Sequence, residues 1–194
     1  MQGTITVVTG LPRSGTSLAM QMLAAGGVEP FSDGERVADE DNPRGYLELE
    51  AVKRLKQSAD WVPQARGKAV KVISHLLGDL PAGETYRVLF IERDLDEVLA
   101  SQAKMIARRG QPAPPEAIVR RAFESHLAAS AALEASRSDM SFLRLSYAAI
   151  IAESRFAAKQ IATHVGDAGG GQMDIDAMVA AVDPSLYRNR HSGQ

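Results

Sequence analysis

Residues 10–17, Gly-Leu-Pro-Arg-Ser-Gly-Thr-Ser, place two glycines, three hydroxyl groups and one cation directly after the apolar run 5–9. This pattern is typical of a loop between a strand and a helix whose backbone N–H groups surround an anion. The Walker A pattern G-x-x-x-x-G-K-[ST] requires lysine where this chain has Thr16, and the cation lies inside the loop as Arg13. The loop therefore predicts a phosphate-containing ligand, but not an ordinary ATPase or GTPase, because it lacks the lysine that reaches the β- and γ-phosphates.

A second pair of candidate binding residues follows a later strand. Arg93 comes directly after the predicted strand 87–92, and Ser101 lies two turns into the helix that follows. An arginine at a strand end beside a helix start is placed to hold a second phosphate, and Ser101 offers a hydroxyl from the same wall. The alternative is structural: Arg93 pairs with Asp96 or Glu97, and Ser101 is a small helix residue.

His75 is a third candidate, because it is the histidine that falls at the carboxyl end of a predicted strand, 69–73. Imidazole changes its charge near neutral pH, so a histidine beside a phosphate-binding loop is suited to proton transfer. The alternative is a solvated loop histidine.

The composition restricts the class of protein. Hydrophobic residues make up 45% and charged residues 24% of the 194-residue chain, as in a soluble globular protein with one domain, residues 1–194. The net charge of −2 argues against a general nucleic-acid or membrane-surface binder, and the lack of cysteine excludes disulfides and thiolate metal sites. Without a signal-peptide pattern or an apolar run of about 18 residues, we expect a cytoplasmic protein. The composition indicates no oligomeric state.

Strands and helices alternate along the chain, which predicts an α/β fold with a mostly parallel sheet. Such sheets bind ligands beyond the carboxyl ends of their strands. The polar connector 28–45 is long enough to be a lid or a binding segment. The predicted strands are 3–9, 69–73, 87–92 and 141–145, and the predicted helices are 15–25, 47–61, 95–108, 116–135, 152–165 and 175–182.

The run Pro12-Arg13-Ser14-Gly15-Thr16-Ser17, with Arg93 and Ser101 eight residues apart, resembles the sulfotransferase family, and segments 41–46 and 183–187 are similar to stretches of its bacterial members. The resemblance implies a three-layer α/β/α fold of the P-loop NTPase type. It also implies that the co-substrate is 3′-phosphoadenosine 5′-phosphosulfate and that no metal takes part. Residues 12–17 would bind the 5′-phosphosulfate, and Arg93 and Ser101 would hold the 3′-phosphate.

The resemblance also suggests a catalytic base. Ser74-His75-Leu76 is similar to a family segment whose histidine is the base, so His75 is the first candidate, with Glu35 or Glu40 of the connector in reserve. The family has lysine immediately before this segment, where this chain has Ile73, and Lys71 lies two positions earlier. The Arg-Lys-Gly segment that closes over the 3′-phosphate in some members has no match; Arg188 or Arg190 would be its substitute.

The expected function is therefore an enzymatic one: in-line transfer of a sulfuryl group to a hydroxyl or amine of a small-molecule acceptor, with no nucleic-acid or membrane partner. Arg13 and the loop amides would stabilise the charge that develops on the leaving nucleotide. Two alternatives stay open. The run 88–91 followed by Glu92 is also typical of a Walker B strand that holds Mg²⁺, as in a P-loop kinase-like phosphotransferase. The other alternative is a nucleotide-binding protein of the same fold without catalytic activity.

Overall fold

The computed structural model describes residues 3–39, 42, 44–108, 110–166 and 172–187. Within these residues, four strands form one sheet in the order β2-β1-β3-β4, and every pairing is parallel. The predicted α/β class with a parallel sheet is confirmed. The strands are β1 (Ile5–Gly10), β2 (Ala69–Lys71), β3 (Tyr86–Glu92) and β4 (Met140–Ser146).

The helices connect these strands and cover the sheet. The α-helices are α1 (Thr16–Ala25), α2 (Leu95–Arg108), α3 (Glu116–Ser136), α4 (Tyr147–Ala152), α5 (Ser154–Val165) and α6 (Ile175–Ala180). Short 3-10 helices span Glu50–Arg54, Val62–Ala65, Ser74–Asp79 and Pro184–Leu186. None of the helices in the described ranges is both long and apolar enough to cross a lipid bilayer.

The core has two main parts, because successive side chains of a strand point to opposite faces of the sheet. Val8 packs with α1, α4, α5 and α6 on one face. Its neighbour Val7 packs on the other face with residues of the 3-10 helices and with Leu133 of α3. Both faces of the sheet are therefore covered, which is consistent with three layers.

The helix predicted over 47–61 is wrong. The chain forms the 3-10 helix Glu50–Arg54 and then turns, with Val52 and Trp61 buried against the sheet. Asp33 Oδ2 accepts the backbone N–H of Glu50 at 2.5 Å, so a side chain of the connector satisfies the first donor of this segment. Pro63 supplies no N–H and limits the segment further.

Other element predictions are confirmed or need adjustment. Helices α2 and α3 agree with the predictions within a residue, while β2 ends two residues early. The helix predicted over 152–165 begins instead at Tyr147 and breaks at Glu153. In α1 the buried residues are Ala19, Met20, Met22 and Leu23, while Leu18 is half-buried and Ala25 is exposed. The glycines 169–171 and the basic segment 188–191 lie outside the described residues.

The start of α2 positions part of the candidate site. Asp94 caps the helix, because its Oδ1 accepts the backbone N–H groups of Asp96 and Glu97 at 3.0 and 3.1 Å. The carboxylate of Glu97 accepts a hydrogen bond from Arg93. Leu11, which follows β1, packs with Val98 and Leu99 of α2 and Phe123 of α3 in a third small cluster.

Candidate functional site

A cleft of about 710 Å³ opens at the carboxyl ends of β1, β2 and β3. The loop after β1 lies between two walls. One wall consists of the connector, the 3-10 helix 50–54 and the end of β2, and the other is α2; the segment 181–186 adds a further side. The position is the one where parallel sheets bind ligands, and the volume suits a small molecule.

The cleft is basic, although the whole chain carries a net charge of −2. Among the described residues that line it, eight are basic and two, Glu48 and Asp183, are acidic. A concave surface with charge of one sign concentrates ligands of the opposite sign. The cleft is therefore suited to an anion with more than one charge. The basic residues are Arg13, Arg36, Arg44, Lys53, Lys71, Arg93, Lys104 and Arg108.

The loop between β1 and α1 requires both of its glycines. Gly15 has a φ of +105°, and a Cβ there would overlap the ring of Tyr147. A Cβ at Gly10 would lie 2.5 Å from Ser14 Oγ and would overlap the carbonyl oxygen of Ile91. Tight packing beneath the loop thus fixes its path and directs the first turn of α1 to the cleft, where Thr16 and Ser17 line it.

Three residues that the sequence selected lie together at one end of the loop. Arg13 Nε donates to Ser101 Oγ at 3.2 Å, and Arg93 Nη1 donates to the carbonyl oxygen of Arg13 at 3.2 Å. Arg13 has a positive φ of 69°, an uncommon backbone conformation for a side-chain-bearing residue. The structural alternative for Arg93 also holds, since its Nε donates to Glu97 Oε2 at 2.8 Å.

The surroundings of Arg93 keep its guanidinium in one orientation. The side chains of Arg93 and Glu97 are 8% and 4% exposed. The guanidinium carbon of Arg93 lies 4.9 and 5.2 Å from the ring centres of Tyr147 and Tyr187. Tyr187 Oη donates to Glu97 Oε1 at 3.0 Å, and burial together with this hydrogen bond raises the pKa of the Tyr187 hydroxyl. The segment before residue 188 thereby supports Arg93.

Lys71 lies at the other end of the loop and was not among the predicted site residues. Its Nζ donates to Ser17 Oγ at 3.0 Å and to the carbonyl oxygen of Tyr46 at 2.6 Å, and lies 3.4 Å from Glu48 Oε1. The side chain is 10% exposed, and burial lowers its pKa to about 8. A lysine from the neighbouring strand therefore supplies an ammonium group to a loop that has none of its own.

Glu48 is held beside Lys71 by a second cation. Arg36 Nη1 lies 2.9 Å from Glu48 Oε2, and the Arg36 guanidinium stacks 3.3 Å above the centre of the Tyr46 ring. Tyr46 Oη in turn donates to Asp39 Oδ1 at 2.7 Å. This chain of contacts places a carboxylate and an ammonium group side by side in the cleft.

Two of the predicted base candidates, His75 and Glu35, do not line the cleft. His75 is exposed on the 3-10 helix 74–79, where it stacks on His126 of α3 with ring centres 5.9 Å apart. Glu35 is exposed and absent from the cleft lining, and Glu40 lies outside the described residues. The expectation that His75 lies beside the loop is corrected, because the chain turns into a 3-10 helix after Ile73 and carries the imidazole to α3.

Ser14 also lies differently from the prediction. Its hydroxyl is buried beneath the loop near Gly10, and it has no hydrogen-bond partner among the described residues. Pro12, Arg13, Gly15, Thr16 and Ser17 line the cleft, but Ser14 does not.

No protein-family model matches this chain, and neither does any curated protein. What the cleft can bind therefore follows from its own residues. Basic side chains at both ends of an N–H-rich loop suit a ligand with two separate anionic groups.

Proposed function

We propose that this protein is a sulfotransferase of the P-loop type. It transfers a sulfuryl group from 3′-phosphoadenosine 5′-phosphosulfate to a hydroxyl or amine of a small molecule. The observation that carries the proposal is the pair of basic groups at the two ends of the loop: Arg13 with Arg93 and Ser101 at one end, and Lys71 with Ser17 at the other. A nucleotide with a 3′-phosphate and a 5′-phosphosulfate has two anionic groups of this kind.

Each end of the loop has a role in binding the donor nucleotide. The loop amides, Thr16 and Ser17 bind the 5′-phosphosulfate at the N-terminus of α1, where partial positive charge collects. Arg93 and Ser101 bind the 3′-phosphate, and the pair with Glu97 keeps Arg93 oriented for it.

The transfer is a displacement at sulfur. The acceptor oxygen or nitrogen forms a bond to sulfur while the bond from sulfur to the bridging phosphate oxygen breaks, and 3′,5′-diphosphoadenosine leaves. Arg13 and Lys71 stabilise the negative charge that collects on this oxygen, and one such positioned donor contributes about 3–4 kcal/mol. The lysine and arginine side chains supply the positive charge that phosphoryl-transfer enzymes obtain partly from Mg²⁺.

Glu48 accepts the proton that the acceptor loses. Among the described carboxylates of residues 28–50, Glu48 is the one that lines the cleft, and it lies beside Lys71. A positioned base of this kind contributes roughly 10²–10⁴ in rate. Glu48 thus takes the role for which the sequence suggested His75, Glu35 or Glu40.

The kinase-like alternative has less support. It needs Glu92 as a magnesium ligand, but Glu92 is paired with Arg144 at 2.8 Å and is not among the described residues that line the cleft. The loop also has Thr16 where the Walker lysine stands.

Calorimetric titration tests the proposal. The wild-type protein is titrated with 3′,5′-diphosphoadenosine and with ATP, each with and without Mg²⁺. We expect metal-independent, micromolar binding of the diphosphate and little binding of ATP. A preference for Mg-ATP would replace the proposal by a kinase-like function, and diphosphate binding without sulfuryl transfer to any acceptor would indicate the non-catalytic alternative.

A variant then locates the 3′-phosphate. Ser101→Ala is preferable to Arg93→Ala, because loss of Arg93 would leave the buried Glu97 carboxylate uncompensated. We expect Ser101→Ala to weaken 3′,5′-diphosphoadenosine by about tenfold, the effect of one hydrogen bond to a charged group, and to leave 5′-AMP almost unchanged. Equal losses for both nucleotides would remove Ser101 from the 3′-phosphate site.

A further inference from the structure

Part of the cleft lies beyond the residues assigned to the donor nucleotide. It is lined by half-buried apolar side chains from both walls: Leu49 beside the 3-10 helix 50–54, Ile73 after β2, and Met105 on α2. Half-buried apolar groups facing a cleft favour a ligand with an apolar body, since its binding removes both surfaces from water.

Basic residues accompany these apolar groups on the same elements. Lys53 follows the buried Val52 on one wall, and Lys104 precedes Met105 on the other, with Arg108 one turn further along α2. Each wall therefore combines an apolar surface with positive charge close to the solvent.

Polar and basic residues on one face of α2 extend past the residues assigned to the donor nucleotide. Ser101, Lys104 and Arg108 are spaced three and four residues apart, so they share one face of the helix. At 1.5 Å per residue, Arg108 lies about 10 Å beyond Ser101 along the helix axis. A single phosphate at Ser101 does not span that length, so the outer basic residues are placed to bind a second ligand.

We propose that the acceptor is an amphiphilic acid, in which the hydroxyl or amine sits on an apolar body that also carries a carboxylate or another acidic group. This inference rests on the proposed function. The reacting group lies at the loop, the body lies against Leu49, Ile73 and Met105, and the acidic group lies towards Lys104 and Arg108. A cationic acceptor is disfavoured, because basic side chains outnumber acidic ones by eight to two among the described residues that line the cleft.

The experiment compares three phenols with the same body and a different end group: 4-(4-hydroxyphenyl)butanoate, its methyl ester, and 4-(4-aminobutyl)phenol. Binding of each is measured calorimetrically with and without 3′,5′-diphosphoadenosine, and transfer is followed as release of the diphosphate from the donor. We expect the acid to exceed the ester and the amine by roughly tenfold in affinity and in kcat/KM, as for about one well-placed charge contact.

Two double variants complete the test. Lys104→Gln/Arg108→Gln should remove the preference for the acid. At a salt concentration that screens long-range charge, it should leave the affinity for 3′,5′-diphosphoadenosine unchanged. Arg121→Gln/Lys159→Gln removes the same charge from exposed positions outside the cleft lining and should keep the preference.

Each other outcome has a definite meaning. Equal or better binding of the ester or the amine, or no binding of any phenol, overturns the inference. Weaker diphosphate binding by Lys104→Gln/Arg108→Gln at the screening salt concentration also overturns it, because these residues would then belong to the donor site. If the wild type binds the acid preferentially but does not bind the diphosphate, the proposed donor chemistry fails while the acid-binding site is supported.

Discussion

At the level of single residues, Lys71 has the clearest electrostatic signature. Its ammonium group is buried among Ser17, Tyr46 and Glu48, and burial outweighs Glu48 in lowering its pKa to about 8. Between that value and the 10.5 of an unperturbed lysine, the unfolded chain binds more protons than the folded one. The free energy of unfolding therefore rises with pH across this window.

Lys71→Met tests this linkage. Between pH 8 and 10.5, the stability of the wild type relative to the variant should increase by up to about 3 kcal/mol, because burial of the ammonium is no longer a cost once the proton is lost. Urea unfolding at several pH values measures the difference. The exposed Lys159→Met serves as control, and a difference that is independent of pH would contradict the assignment.

The protonation state of Lys71 should also change when an anion binds beside it. A phosphate beside the ammonium group raises its pKa again, so binding of 3′,5′-diphosphoadenosine near pH 8.5 (about half a unit above the folded pKa) takes up protons. Titrations in two buffers with different ionisation enthalpies give the number of protons. The uptake should disappear in Lys71→Met, and equal heats in both buffers for the wild type would place the anion elsewhere.

His75, in contrast to Lys71, is a residue whose substitution should have little effect on binding or turnover. Since its imidazole stacks on His126 and does not line the cleft, His75→Ala should keep both diphosphate affinity and turnover near wild-type values. The corresponding change at Glu48, Glu48→Gln, should reduce kcat by roughly 10²-fold or more. Loss of turnover in His75→Ala with normal nucleotide binding would restore the histidine as the base.

At the level of elements, the contact between Gly15 and Tyr147 couples the loop to α4. Gly15→Ala introduces both a strained φ and an overlap with the Tyr147 ring. Gly27→Ala is a matched control, because Gly27 has a φ of +99° and no atom within 4 Å of its would-be Cβ. Gly27→Ala should cost about 1–2 kcal/mol from backbone strain, and Gly15→Ala should cost a further 1–3 kcal/mol or so from overpacking.

Chemical denaturation of the two alanine variants gives this difference directly. Gly15→Ala should also lose diphosphate binding, since the loop moves, whereas Gly27→Ala should keep it. Equal destabilisation by the two changes would mean that Tyr147 moves aside without cost.

The elements that could be predicted are those with local signals. Asp94 caps α2 and prolines 114 and 115 precede α3, so the helix bounds follow from nearby residues. The segment 47–61 could not be predicted, because its path depends on contacts with distant parts of the chain: Asp33 binds the N–H group of Glu50, and Trp61 packs against the sheet. The position of His75 likewise depends on how the 3-10 helix 74–79 packs on α3. The residues next to His75 in the sequence do not indicate this packing.

At the level of the whole molecule, charge is separated: a chain with a net charge of −2 forms a cleft lined mainly by basic residues. Diphosphate affinity should therefore fall as salt rises, because ions screen these charges. Adenosine, which has no phosphate, is the matched control and should show almost no salt dependence. Isothermal titration over a series of NaCl concentrations gives both slopes, and similar slopes would show that the charges play no part in binding.

Only the part of the candidate site that follows neighbouring strands could be predicted from the sequence. Arg13, Arg93 and Ser101 follow strands that are neighbours in the sheet, and strand ends meet at one edge. Lys71 and Glu48 meet because the connector folds back over the end of β2. Two signals pointed to Lys71: its charge within a buried strand, and its place two residues before the position where the family has lysine. Its partners, however, lie more than twenty residues away.

The sheet order also has a consequence for the way the protein is made. β1 precedes the other three strands of the described sheet and pairs along both edges, with β2 on one side and β3 on the other. During translation its second edge stays unpaired until residue 92 has been added, on the order of ten seconds later at cellular speeds. The loop that follows β1 is thus synthesised well before β3, and it reaches its final shape only after β3 has paired with β1. Ile5, Val7 and Val8 are buried in the folded sheet, so we expect the nascent chain to be prone to aggregation through them during this interval.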